Sequence, residues 1–227
     1  MRLSWGSIHR ELQCRGGILA CARQLPTLIK IFGLKRGLKY LIKWPQRNDY
    51  QAWIRLYDQL DESEKTKIRD EIDGMASRPK ISIIMPVNDA PLNFIQEAIE
   101  SIKAQWYPNW ELCIAVDASV DKVMLSLLQG YGHQDARIKV TEPLHDGLSA
   151  AANRGLRFAS GDYATFLGDA DLLPRQALFY VARAIAAQPE TAMIYSDEDK
   201  ISERGIRYDP WFKCDLNHEL LIIDGAP

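Results

Sequence analysis

The sequence is poor in the residues that mark specialised scaffolds. Its 227 residues include four cysteines, Cys14, Cys21, Cys113 and Cys214, with no CxxC pair and no metal-ligand spacing. That excludes a disulfide-stapled mini-protein and a structural zinc module. Cys14 and Cys21 share one face of a predicted helix and read as buried thiols in a reducing, cytosolic compartment. Long apolar runs are missing too. The best candidate, 16–34, is interrupted by Arg23, Pro26 and Lys30, so no spanning helix is predicted. The N-terminus lacks the apolar core and small-residue cleavage site of a secretory signal.

Several catalytic signatures are also absent. No GxGxxG follows the first strand and no GxxxxGK[ST] occurs, so the usual dinucleotide and P-loop phosphate cradles are excluded. No GxSxG elbow or HExxH is present. The four histidines, His9, His133, His145 and His218, are isolated and read as surface or turn residues. What remains is 47% hydrophobic and 26% charged, the balance of a globular chain able to build a real core.

Charge is divided unevenly along this chain. Residues 1–45 carry nine Lys/Arg against a single acid, Glu11, in a protein of net charge −2. A basic arm therefore precedes an acidic body. Within the arm, Ile18, Leu19, Leu25, Leu28, Ile29, Phe32, Leu38, Leu41 and Ile42 recur at helical spacing, broken by Pro26, Gly33 and Gly37. An apolar face flanked by cations suits an anionic membrane surface; the alternative is a helical hairpin packed on protein. Its cations surround a hydrophobic stripe rather than gathering with exposed aromatics, which argues against nucleic acid as a partner.

Residues 46–79 read as a helical adaptor and linker. Asp49 is a candidate N-cap for the turn carrying Trp53, Leu56, Tyr57 and Leu60. Asp61 opens the run ESEKTKIRDEI, acids first and bases later, which Gly74 terminates.

From residue 80 to 227 apolar strands alternate with amphipathic helices. Strands are predicted at 81–87, 112–117, 138–140 and 163–167, with 192–195 extended, and helices at 92–105, 122–131, 149–159 and 175–187. This alternation predicts an α/β fold with a doubly wound, mostly parallel sheet. Ligands in such sheets sit beyond the carboxyl ends of the strands. Three of those ends carry unusual residues: Pro86-Val87-Asn88-Asp89, Asp117-Ala118-Ser119 and Gly168-Asp169-Ala170-Asp171.

Asp169 and Asp171 stand two apart at a strand exit, on one side if the extended conformation continues. Two such carboxylates suit a divalent cation, Mg²⁺ or Mn²⁺, shared with substrate phosphates; the alternative is a solvated turn of capping acids. Asp117 either accepts hydrogen bonds from a ligand or caps the next element. In the segment HDGLSAAANRG, small residues let a helix approach a sheet or ligand closely. Arg154 there meets a phosphate or serves as a salt-bridge partner.

Taken together, the strings RPKISIIMPVND, EAIESIKAQWYPNWELCIAVDAS, DGLSAAANRGLRFASGDYATFLGDADLLP and IYSDEDKI resemble family 2 glycosyltransferases of the GT-A fold. The resemblance covers residues 48–227. It implies an inverting transfer of sugar from a UDP- or dTDP-sugar donor to a glycan or lipid-linked acceptor, in cell-surface polysaccharide assembly. It places the nucleoside at Pro86, Val87, Asn88, Asp89 and Asp117. Arg154 joins the donor site, and Asp169 and Asp171 hold the cation. The implied location is cytoplasmic, peripheral on the inner face of the membrane.

The sequence departs from the family at the metal motif. Where the family usually reads LDHDDLL, this chain reads LGDADLL, with Gly168 and Ala170 at the first and third acidic positions. Val116 replaces the first acid of a common pair, and Asn88-Asp89 replaces Tyr-Asn. The acceptor-binding half with its acidic base is expected beyond Pro227. Asp197, Glu198 and Asp199 either shape the acceptor side or form a charged hairpin. The competing expectation is a truncated or decayed domain that binds a nucleotide, a partner or a membrane without catalysis.

Overall fold

The computed structural model describes residues 50–88, 90–144 and 147–213. The proposed arm, the Asp49 cap and Asp89 lie outside them. The described residues divide into two compact units, one running from Glu62 to Ile194 and the other joining residues 50–61 to residues 195–213.

The Glu62–Ile194 unit holds four parallel strands: β1 (Ile81–Val87), β2 (Trp110–Val116), β3 (Ile138–Val140) and β4 (Tyr163–Phe166). Their order is β3-β2-β1-β4. The chain winds outward from β1 to β3, then returns to place β4 on the other side of β1. The switch point therefore lies between the carboxyl ends of β1 and β4, where α/β sheets bind ligands. This is the mostly parallel doubly wound sheet that the alternating pattern predicts.

β1 and β2 are buried almost throughout, as strands covered on both faces must be, and so they read as apolar runs without alternation. Pro86 sits in the central strand, where its missing N–H would ordinarily break a ladder. Its position explains why it is tolerated. The β1–β4 ladder ends where Leu167 N donates to Ile84 O at 3.0 Å. Pro86 takes the next rung on that side and has no proton to give. The two strands part there, and the mouth of the switch point opens.

Among the described residues, five helices belong to this unit. α2 (Glu62–Gly74) precedes β1, and α3 (Leu92–Lys103) follows it. α3 buries Ile95, Ala98, Ile99 and Ile102, a helical stripe, while Leu92 stays exposed at its first turn. α4 (Lys122–Gln134) is capped by Asp121, whose carboxylate accepts from Met124 N at 2.8 Å. α5 (Gly147–Phe158) and α6 (Ala177–Ala187) complete the set. α5 packs on β1 and β2, and a Cβ at Gly155 would stand 2.7 Å from Ile84 Cγ2 and 3.3 Å from Ala115 Cβ. The small residues of this helix serve close approach to the sheet.

At the amino ends of the strands Glu111 is buried, yet it is charged. Its carboxylate accepts from Lys80 Nζ (2.7 Å), Ser82 Oγ (2.7 Å) and Ser160 Oγ (2.9 Å), and pairs with Lys139 Nζ (2.9 Å). Burial opposes that charge, but the two lysines, the Ser160 amide and the Ser82 hydroxyl outweigh it and hold the pKa well below the ordinary carboxylate range.

In the second unit α1 (Tyr50–Tyr57) lies with an antiparallel hairpin, β5 (Glu198–Ile201) and β6 (Arg207–Trp211). Tyr50 stacks on Trp53, and Phe212 packs edge-on to Tyr50 and tilted against Trp53. Arg207 Nε donates to Asp199 Oδ2 at 2.6 Å, and its guanidinium also pairs with Asp58 just beyond α1. Glu198 and Asp199 lie on the first strand of this hairpin, and Asp197 accepts from Lys213 N at 2.7 Å across it. Residues 192–195, expected to be extended, join no ladder among the described residues.

Candidate functional site

One hydrogen-bonded chain links the three strand ends. Asp117 N donates to Val87 O at 2.9 Å, which continues the β1–β2 alignment one residue past the strands. The Asp117 carboxylate then turns back and accepts from Ser119 N at 2.8 Å, an Asx turn. Ser119 Oγ donates to Asn88 Oδ1 at 2.6 Å. Across the switch point, Asn88 N donates to Asp169 Oδ2 at 3.2 Å. Asp117, Ser119, Asn88 and Asp169 thus line the place where this sheet type takes its ligand.

The remaining expected residues take different positions. Val87 is core, and only its backbone reaches the site. Pro86 acts by ending the ladder. Arg154 NH2 donates to Val116 O at 2.8 Å, and its Nε donates to Thr141 Oγ1 at 3.4 Å. Thr141 Oγ1 in turn accepts from Val116 N at 3.2 Å. The Arg154 guanidinium therefore fastens α5 to the carboxyl end of β2, one residue before Asp117.

Asp169 and Asp171 share one turn but face different partners. Asp171 N donates to Gly168 O at 3.1 Å, and Gly168 N donates to Asp171 Oδ2 at 3.0 Å. The Asp171 carboxylate is engaged within its own turn, whereas that of Asp169 reaches the end of β1. Among the described residues no three or more His, Cys, Asp or Glu side chains gather as a metal cage. Asp169 offers the hard oxygen donor that Mg²⁺ or Mn²⁺ accepts alongside phosphate and water. As a one-carboxylate site shared with a ligand's phosphates, the chemistry fits.

Ser119 stands within a strand end marked in the sequence but carries no role there, and Thr141 is not marked at all. A signal for Ser119 existed, since Asp-x-Ser at a strand exit is the pattern of an Asx turn. Nothing local marks Thr141, whose partners come from β2 and α5.

A parallel β3-β2-β1-β4 sheet with carboxylates at its switch point defines a doubly wound α/β protein of the kind that takes its ligand at the strand ends. Residues 82–219 match the family described as Glycosyl transferase family 2, and the chain belongs to that family. The O-antigen biosynthesis protein RfbC of Myxococcus xanthus is 35% identical over 178 residues, covering 78% of this chain and 14% of RfbC. The UDP-Glc:alpha-D-GlcNAc-diphosphoundecaprenol beta-1,3-glucosyltransferase WfgD of Escherichia coli is 37% identical over 93 residues, covering 40% of this chain and 35% of WfgD. This chain therefore spans well under half the length of either relative. Among solved structures, the mannosyltransferase PcManGT from Pyrobaculum calidifontis, in complex with GDP-Man and Mn²⁺, is 24% identical. Its TM-score is 0.43, over 49% of this chain and 33% of that one.

Proposed function

We propose that this chain carries the donor-binding half of an inverting glycosyltransferase of cell-surface polysaccharide assembly. The donor is a UDP- or dTDP-sugar, and the acceptor is a glycan or a lipid-linked saccharide. The observation that carries this reading is the Asp117–Ser119–Asn88–Asp169 chain at the switch point of the sheet. Asp117 and Asn88 offer side-chain oxygens and an amide to a nucleoside entering between β1 and β2. Asp169, at the mouth of β4, stands where a diphosphate would continue. A divalent cation held by Asp169 and the phosphates would supply Lewis-acid stabilisation of the departing nucleoside diphosphate. Pro86 keeps this mouth open, and Arg154 keeps the β2 end in register. The proton of the acceptor hydroxyl needs a carboxylate base within hydrogen-bond reach.

The test is calorimetric titration with UDP and dTDP, with and without Mn²⁺. Metal-enhanced binding of one nucleotide is expected, together with at least a tenfold loss in Asp169→Asn. Failure of both nucleotides to bind under either condition overturns the reading and leaves a decayed domain that acts through a partner or a membrane.

A further inference from the structure

We propose that Asp171 is a positioning residue rather than a metal ligand: its carboxylate locks the turn from Gly168 to Asp171 and so sets Asp169 at the end of β1. The inference rests on the donor-site reading above, but its structural half stands separately. The lock is reciprocal. Asp171 gives its N–H to the Gly168 carbonyl at 3.1 Å and takes the Gly168 N–H on Oδ2 at 3.0 Å. A side chain at 168 is incompatible with this arrangement, because a Cβ there would lie 2.6 Å from Asp171 Oδ2 and 3.1 Å from its Cγ. Glycine at 168 and the acid at 171 are therefore one device. In the acidic pattern LGDADLL the first position is thus filled by the Asp171 carboxylate folded back against the Gly168 amide.

The turn is anchored on both sides, so the lock fixes more than itself. Before it, Leu167 N is tied to Ile84 O at 3.0 Å. After it, Leu173 N donates to Ser101 Oγ at 3.2 Å, and Gln105 Nε2 donates to Pro174 O at 2.7 Å. Between those anchors Asp169 is the residue that crosses to Asn88 N, at 3.2 Å. A slack turn would let it swing away from the mouth.

A lock and a metal ligand make different demands on residue 171. Closing the turn needs only an acceptor, which an asparagine amide oxygen supplies. Binding a hard cation calls for an anionic carboxylate. Asp171→Asn and Asp171→Ala separate the two roles when compared on the whole chain by amide exchange and by UDP titration with Mn²⁺. In the wild type and in Asp171→Asn, the Gly168 and Asn88 amides are expected to exchange slowly, within threefold of each other. In Asp171→Ala both are expected to exchange at least tenfold faster. UDP affinity with Mn²⁺ should stay within about twofold in Asp171→Asn and fall at least fivefold in Asp171→Ala. The proposal is overturned if Asp171→Asn loses the Mn²⁺-dependent part of the affinity while the Gly168 amide stays protected, for that is the behaviour of a ligand. It is equally overturned if the two amides exchange fast in the wild type, or if Asp171→Ala leaves them protected. A wild type that binds no nucleotide sinks the donor-site reading instead, and the lock is then judged on the two amides alone.

Discussion

Glu111 shows how a single residue can invert its own sequence signal. A glutamate in the second position of an apolar strand reads as a solvent-facing break, yet it is buried beneath two lysines and two serines. Its partners come from Lys80 before β1, Lys139 on β3 and Ser160 before β4, so no local pattern announces them. Removing the charge leaves both lysines facing an amide. Glu111→Gln should lower the unfolding free energy by roughly 3 kcal/mol, the low end for a broken buried pair because the lysines are about a third exposed. Acid titration gives a second readout. The folded-state pKa lies below the unfolded value, so the stabilisation is complete at neutral pH and is lost as pH falls below the ordinary value of 4.5. Urea midpoints measured from pH 7 to pH 3 should fall steeply in the wild type and visibly less in Glu111→Gln. Parallel slopes would show that other carboxylates carry the acid sensitivity.

Among the elements, those whose cause is local were legible and those whose cause is distant were not. β1, β3 and α3 follow from an apolar run or a helical stripe and occupy nearly the stretches the pattern predicts. β2 begins at Trp110 and ends at Val116, a frame set by pairing with β1 rather than by its own composition. The hairpin of β5 and β6 was one of two open readings, because its acids gain partners only when Arg207, Lys213 and α1 come together. At the site, Asp117, Asn88 and Asp169 were visible as polar residues after strands, whereas the direction of Asp171 depends on a turn that only coordinates reveal. α5 supports a prediction at this scale. Its axis approaches the sheet at Gly155, where Ile84 and Ala115 leave no room for a side chain. Gly155→Val should cost about 1–3 kcal/mol by overpacking. It should also weaken nucleotide binding through Arg154, the neighbouring residue that holds the end of β2. A melting temperature and a UDP affinity both unchanged from the wild type would refute that packing.

For the molecule as a whole, α1 and the β5–β6 hairpin share one unit while the four-stranded sheet forms the other. α1 and α2 are adjacent in sequence but belong to different units, so two N-terminal deletions have separable consequences. Removing residues 1–45 takes away nine cations and a single acid but leaves α1, with Tyr50 donating to Asp199 at 2.5 Å. Removing residues 1–61 also takes away Tyr50, Trp53 and Asp58, the aromatic and ionic partners of Phe212 and Arg207. Burial, then hydrogen bonding to Asp199, pushes the Tyr50 phenol up to about 12, so its proton stays in this contact throughout the neutral range. The shorter deletion is expected to abolish sedimentation with anionic vesicles at low salt, since a basic apolar arm binds such surfaces partly through screened attraction, and to leave amide protection in 198–211 unchanged. The longer deletion is expected to lose that protection as well, while β1 and β2 stay protected. Vesicle binding that survives the first deletion would remove the arm from the membrane. Hairpin protection that survives the second would show that β5 and β6 stand without α1.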